Sequence, residues 1–171
     1  WGIDKAEQLG ADIINFSWIT GSPYTYRYKI KHLLQIGIVC VAAAGNDKDN
    51  IGGDPPLVKY PAAYYFDDIG RQVIAVSETR MNGNVEDYIP GWNYSPGNDP
   101  INDPINSFID VAAPGYAVYG IHFKVLNSYR WYWGTSFAAP QISALCGLIL
   151  SINNNLLPDD IYDIITGTAE K

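Results

Sequence analysis

Apolar residues fall into two kinds of run along this chain, and their alternation predicts the elements. Ile3, Ala6 and Leu9 recur at helical spacing and Gly10 follows them, so residues 2–9 read as a helix ended by glycine. Residues 11–18 form a short apolar run that reads as a buried strand. Residues 24–36 suit a second helix, with Tyr28, Leu33, Leu34 and Ile36 as its apolar positions and Gly37 as its stop. Ile38-Val39-Cys40-Val41-Ala42-Ala43 is almost uniformly apolar, the mark of a strand covered on both faces. Strand, helix, strand at this spacing is a βαβ unit, which implies a parallel sheet and a right-handed crossover. Val73–Val76 adds a further strand. A short strand is expected over 108–113, a hairpin over 117–132, and a long apolar helix from Thr135 to Ile152. Pro158 opens a last helix, with Asp159 and Asp160 in its first turn, where acids favour the dipole. The expected fold is therefore α/β: a doubly wound, mostly parallel sheet with helices on both faces.

Residues 83–108 break the pattern. Gly, Asn, Asp and Pro dominate there, and Asp-Pro-Ile-Asn occurs twice in tandem, so a long surface loop, an insertion, is expected. The whole chain has 171 residues, 47% hydrophobic and 17% charged, which suits a globular domain with a real core. Eighteen acids against eleven bases leave a net charge of −7, which argues against nucleic acid as a partner. No apolar run reaching ~18 residues is apparent, so no membrane partner is expected. Two cysteines, Cys40 and Cys146, make neither a disulfide scaffold nor a metal motif; both read as small buried hydrophobes, with a bridge between them left open. The first residue is Trp1 rather than Met, so the chain is expected to be part of something longer.

The densest chemistry lies in Gly134-Thr135-Ser136-Phe137-Ala138-Ala139-Pro140. Ser136 falls in the first turn of the apolar helix, where unpaired N–H groups favour a developing negative charge. That suits a nucleophile whose attack creates an oxyanion, although Ser and Thr are also common helix caps. Pro140 tips the reading toward function, because proline inside a helix normally costs ~3 kcal/mol. A second segment, Val41-Ala42-Ala43-Ala44-Gly45-Asn46, is a strand that ends in small residues and then an amide. Small residues there leave room for a ligand backbone, at the strand ends where parallel sheets bind ligands.

Together these segments resemble the subtilase family of serine proteases. Gly134–Pro140 is similar to the family's serine signature, and Ala42–Asn46 to the segment carrying its oxyanion asparagine. Ala11–Ser17 resembles the strand beside the substrate. Tyr60-Pro61-Ala62 with Val73–Val76, the Asp110-Val111-Ala112-Ala113-Pro114-Gly115 run, and the tail from Leu157 to Ala169 continue the likeness in order. Residues 83–108 stand outside it. The resemblance implies that Ser136 is the nucleophile, and that the Asn46 side chain and the Ser136 N–H form the oxyanion hole. It implies that Ser17-Trp18-Ile19 and Ala43-Ala44-Gly45 flank the substrate side chain, with Gly134 and Thr135 beside them. The resemblance also implies that Lys59 falls near the base of the pocket for that side chain, where it would favour acidic side chains; a solvated loop lysine is the alternative.

A serine nucleophile needs a base and an orienter. The family's Asp-[Ser/Thr]-Gly and His-Gly-Thr contexts are absent from these residues, and His32 and His122 read as surface histidines. The expectation is therefore the C-terminal portion of a peptidase domain, with Asp and His supplied upstream and the missing N-terminal half as a partner. A non-catalytic relative that binds extended peptides is the alternative. A nucleotide binder is disfavoured, because no Gly-x-Gly-x-x-Gly turn follows a strand. The polypeptide substrate, an extracellular setting and structural calcium are implied by the resemblance alone. No metal ligand can be named: the acidic loop Asp47–Asp54 fails the EF-hand spacing. Of two Asn-x-Ser sequons, Asn15 is expected in the core and Asn93 in the accessible loop. The aromatics Tyr129, Trp131, Tyr132 and Trp133 read as hairpin packing.

Overall fold

The computed structural model describes residues 2–20, 24–46, 59–79, 109–122 and 124–169. In chain order the elements are α1 (Gly2–Gln8), β1 (Ile13–Phe16), α2 (Arg27–Gln35), β2 (Val39–Ala43), β3 (Tyr65–Phe66), β4 (Arg71–Gln72), β5 (Ile74–Thr79), β6 (Val111–Pro114), β7 (Val118–Ile121), β8 (Tyr129–Tyr132), α3 (Thr135–Ile152) and α4 (Pro158–Thr168). The 83–108 loop, its Asn93 sequon and the acidic loop Asp47–Asp54 lie outside the described residues.

The main sheet has the order β1-β2-β5-β6, and every pair in it is parallel. β2 is buried at every position, which explains its unbroken apolar run. Its side chains alternate between two cores. Val39, Val41 and Ala43 meet Ala138, Ala139, Ile142 and Cys146 of α3 and Ile161 and Ile165 of α4. Cys40 and Ala42 meet Phe16 and the Ile30, Leu33 and Leu34 face of α2. The doubly wound α/β architecture is thus present.

The same alternation settles the cysteines. Cys40 and Cys146 point to opposite faces of the sheet, and both are free and buried. Burial pushes the Cys40 thiol up to about 12 and that of Cys146 up to about 11. A thiol-specific disulfide reagent at pH 8 should therefore modify neither in the folded protein and both after denaturation. Fast modification of either in the folded state would contradict this packing.

Several expectations need correction. The α2 face that packs is Ile30, Leu33 and Leu34; Tyr28 and Ile36 are exposed, because they lie off that side of the helical turn. Leu9 is exposed, just beyond the end of α1. β5 runs three residues past Val76, with Ser77, Glu78 and Thr79 buried, because these residues continue the ladder to Ala112, Ala113 and Pro114. The β3–β4 hairpin was not anticipated; its turn closes at Gly70, which has φ +61°. Asn15 is exposed rather than in the core, since β1 is an outer strand of the sheet; its amide donates to Ser17 Oγ at 2.8 Å. α3 has 18 residues and is, by length and composition, apolar enough to cross a membrane. Here one of its sides packs on the sheet, while Leu145, Leu148 and Ile152 remain exposed.

Candidate active site

Pro140 explains the first feature of the site. Residue 140 would ordinarily donate its N–H to the carbonyl of residue 136, and proline has none to give. The freed Ser136 carbonyl instead accepts the Ser17 hydroxyl at 2.9 Å. The exchange is reciprocal, since the Ser136 hydroxyl donates to the Ser17 carbonyl, also at 2.9 Å. One net hydrogen bond contributes ~1 kcal/mol, so Ser17 offsets part of the proline's cost. The result ties the start of α3 to the end of β1. A carbonyl can hold the hydroxyl but cannot take its proton, so these contacts orient Ser136 without activating it.

Asn46 is fixed by its acceptor end. Its Oδ1 receives the Thr135 N–H and the Thr135 hydroxyl, each at 2.9 Å. Thr135 is fully buried, and its Oγ1 in turn accepts the Gly45 N–H at 3.1 Å. With Oδ1 committed, Nδ2 is the amide's donor end toward the Gly134 side. A Cβ built on Gly134 would stand 2.7 Å from Nδ2, and Gly134 has φ +129°. Only glycine fits that position on both counts.

Two further groups fasten Gly134. Its N–H points to the Gly115 carbonyl at 2.9 Å and to Oε2 of Glu78 at 2.8 Å. All strands of the main sheet therefore send their carboxyl ends to the same turn: β1 through Ser17, β2 through Gly45 and Asn46, β5 through Glu78, β6 through Gly115. This is where parallel sheets place ligands. By position the Ser136 N–H is among the first four of α3, whose partners lie outside the helix.

Of the other anticipated residues, Ala43 and Ala44 are buried at the end of β2, and the Ala44 N–H is taken by the Val76 carbonyl at 2.9 Å. Trp18 and Ile19 are partly exposed, and the Trp18 ring packs edge-on against Tyr26 and Phe16. Thr20 closes this segment by a two-way backbone bridge to Tyr60, at 2.7 and 3.0 Å. Lys59, half-buried, is thereby held next to that bridge. On the hairpin Tyr132 stacks on Phe137, one residue past Ser136, while Tyr119, Tyr129 and Trp131 pack together on an exposed face.

His32 and His122 are spent elsewhere. His32 Nε2 lies 2.8 Å from Glu7 of α1, and His122 Nδ1 accepts the Lys124 N–H at 3.1 Å. Neither makes a hydrogen bond to Ser136 among the described residues. Among the described residues no group of three His, Cys, Asp or Glu side chains is placed to hold a metal, so no calcium ligands are assigned.

Sequence reading missed Glu78 and the role of Asp110. The signal for Glu78 was an acid directly continuing an apolar strand. Asp110 gathers the Gln72 amide at 2.9 Å, the Tyr162 hydroxyl at 2.8 Å and the Ala75 N–H at 2.7 Å, so it joins α4 to the sheet. Desolvation pushes its carboxyl from an ordinary 3.8 up to about 7, against the lowering effect of these donors. A raised acid takes up a proton on folding. Its contribution is full below about pH 4 and lost as pH rises through about 7. Thermal midpoints should therefore fall over that window in the protein, and Asp110→Asn should flatten the fall. An unchanged slope in that variant would contradict the assignment.

A family model described as the subtilase family matches residues 1–171. The chain is similar to subtilisin-like protease 2 of Plasmodium falciparum, 29% identical over 170 residues, covering 94% of this chain and 11% of the relative. It is similar to fervidolysin of Fervidobacterium pennivorans, 27% identical over 179 residues, with coverages of 98% and 23%. It is also similar to bacillopeptidase F of Bacillus subtilis, 30% identical over 167 residues, with coverages of 95% and 10%. The chain thus spans between 10% and 23% of the length of these relatives.

Proposed function

Because this chain belongs to the subtilase family, we propose that it is the serine-bearing portion of a serine endopeptidase domain acting on polypeptides. The observation that carries this reading is the shared turn at Gly134–Ser136, which the ends of all main-sheet strands hold in place. Ser136 Oγ attacks the scissile carbonyl, and its proton passes to a histidine from elsewhere in the domain. The carbonyl oxygen becomes an oxyanion, which takes hydrogen bonds from Asn46 Nδ2 and the Ser136 N–H. The amine leaves with the proton, and an acyl-enzyme remains on Ser136. Water then attacks that ester, the same histidine takes the water's proton, and the acid product and free Oγ–H are restored.

The substrate backbone would run between the Ser17–Ile19 and Ala43–Gly45 segments, and the first is anchored by the Thr20–Tyr60 bridge. The remaining half of the domain, with the base and its orienter, is the required partner. The exposed Leu145, Leu148 and Ile152 stripe of α3 and the outer side of β1 are apolar and polar surfaces suited to it. An extracellular setting is carried over from the family resemblance. The test is hydrolysis of an unfolded polypeptide by the protein that contains this chain. Cleavage that disappears in Ser136→Ala supports the reading; cleavage that persists removes Ser136 from it.

A further inference from the structure

Glu78 is the one acid among the described residues buried to about 1% exposure, and it stands at the end of β5 beneath the turn that carries Ser136. Its Oε2 accepts the Gly134 N–H at 2.8 Å. Its Oε1 is buried and has no partner among the described residues. Glu78 is the charged member of a buried strand end: Ser77 and Thr79 flank it along β5, and apolar Ala113 lies opposite it on β6. The side chain also has little freedom. A Cβ added to Gly115 would lie 2.5 Å from Glu78 Cβ, 2.9 Å from its Oε2 and 2.9 Å from the Gly134 carbonyl. The absence of a side chain at Gly115 is thus what lets the carboxyl group reach Gly134.

We propose that Glu78 is a positioning residue for the Ser136–Asn46 pair, acting by fixing the Gly134 peptide through its buried carboxyl oxygen. The chain of contacts is short. Glu78 holds the Gly134 N–H; Gly134 packs against Asn46 Nδ2; the next residue, Thr135, holds Asn46 Oδ1; and Ser136 follows. A displaced Gly134 would move the oxyanion donors and the nucleophile together. Errors of ~1 Å in such a constellation can cost ~10²-fold in rate. Glu78 acts one group away from the reacting atoms, so an effect of about tenfold or more is expected. Desolvation raises the carboxyl's affinity for its proton, consistent with an oxygen that has no cationic partner.

This proposal rests on the serine-protease reading, and its test separates the two. In the protein containing this chain, the rate of labelling by a fluorophosphonate and the kcat and KM for a peptide substrate are measured for wild type, Ser136→Ala, Glu78→Gln, Glu78→Leu and Gly115→Ala. Labelling that survives in Ser136→Ala defeats the serine reading itself. Given Ser136-dependent labelling, Glu78→Leu and Gly115→Ala are each expected to label about tenfold more slowly or worse, with kcat lowered and KM within about threefold. Glu78→Gln keeps an oxygen that can accept the Gly134 N–H and is expected to stay within about threefold of wild type. Wild-type rates in either of the two disruptive variants overturn the proposal, as does a Gln variant as slow as the Leu one. Failure of both disruptive variants to fold assigns Glu78 to stability instead and overturns it too.

Discussion

Replacing Asn46 by aspartate is expected to lower kcat by at least ~10²-fold while leaving the fold intact. That is the size of losing one oxyanion donor. Aspartate is the informative substitution because it keeps what Asn46 does for structure. Both bonds that Asn46 accepts, from the Thr135 N–H and the Thr135 hydroxyl, remain available to a carboxylate. What is lost is Nδ2, and in its place stands an oxygen that repels the developing negative charge. Asn46→Ala should lose a similar amount of activity and, in addition, leave the buried Thr135 N–H without its acceptor, which costs about 1–3 kcal/mol. Comparing kcat with the thermal midpoint for the two variants separates donor from strut. Activity near wild type in Asn46→Asp would remove Asn46 from the oxyanion hole.

Gly134→Ala is expected to reduce both activity and stability. Its Cβ would stand 2.7 Å from Asn46 Nδ2, closer than nonbonded atoms approach, and at φ +129° an L side chain is strained. Strain of this kind costs about 1–3 kcal/mol. Relief requires moving the Asn46 amide, and with it a donor, so kcat should fall by ~10² or more. The loss should appear in kcat more than in KM, because the donor that moves is one proposed to act on an oxyanion that forms only in the transition state. A Gly134→Ala variant with unchanged kcat and thermal midpoint would contradict the close packing of Asn46 on this turn.

The elements that sequence patterning found best are those whose burial is uniform. β2 is buried on both faces, so five consecutive small apolar residues could be nothing else. α3 runs from Thr135 to Ile152 as expected, because Gly134 and the polar residues after Ile152 bracket a largely apolar stretch. The Gly134–Pro140 segment stood out for a related reason: Pro140 breaks a local rule, and a broken rule marks constraint. Elements set by tertiary contact were not legible. β5 continues through Ser77-Glu78-Thr79 because β6 lies beside it, a fact outside the local pattern. The packing face of α2 depends on which side the sheet occupies, so Tyr28 and Ile36 were misjudged while Leu33 and Leu34 were not. Glu78 and Asp110 escaped because an acid is read as surface unless its partners are known, and those partners lie on other elements. Ser17 was anticipated only as a wall; that it replaces the hydrogen bond Pro140 cannot make emerges from geometry alone.

The most direct measurement is the site of modification by a fluorophosphonate. Attack by an activated serine expels fluoride from phosphorus and leaves a stable phosphonyl ester on the oxygen. The protein that contains this chain should gain one such group, and peptide mass spectrometry should place it on Ser136, with none in Ser136→Ala. A folded protein that carries no adduct on Ser136, or carries one on another serine, would contradict Ser136 as the nucleophile.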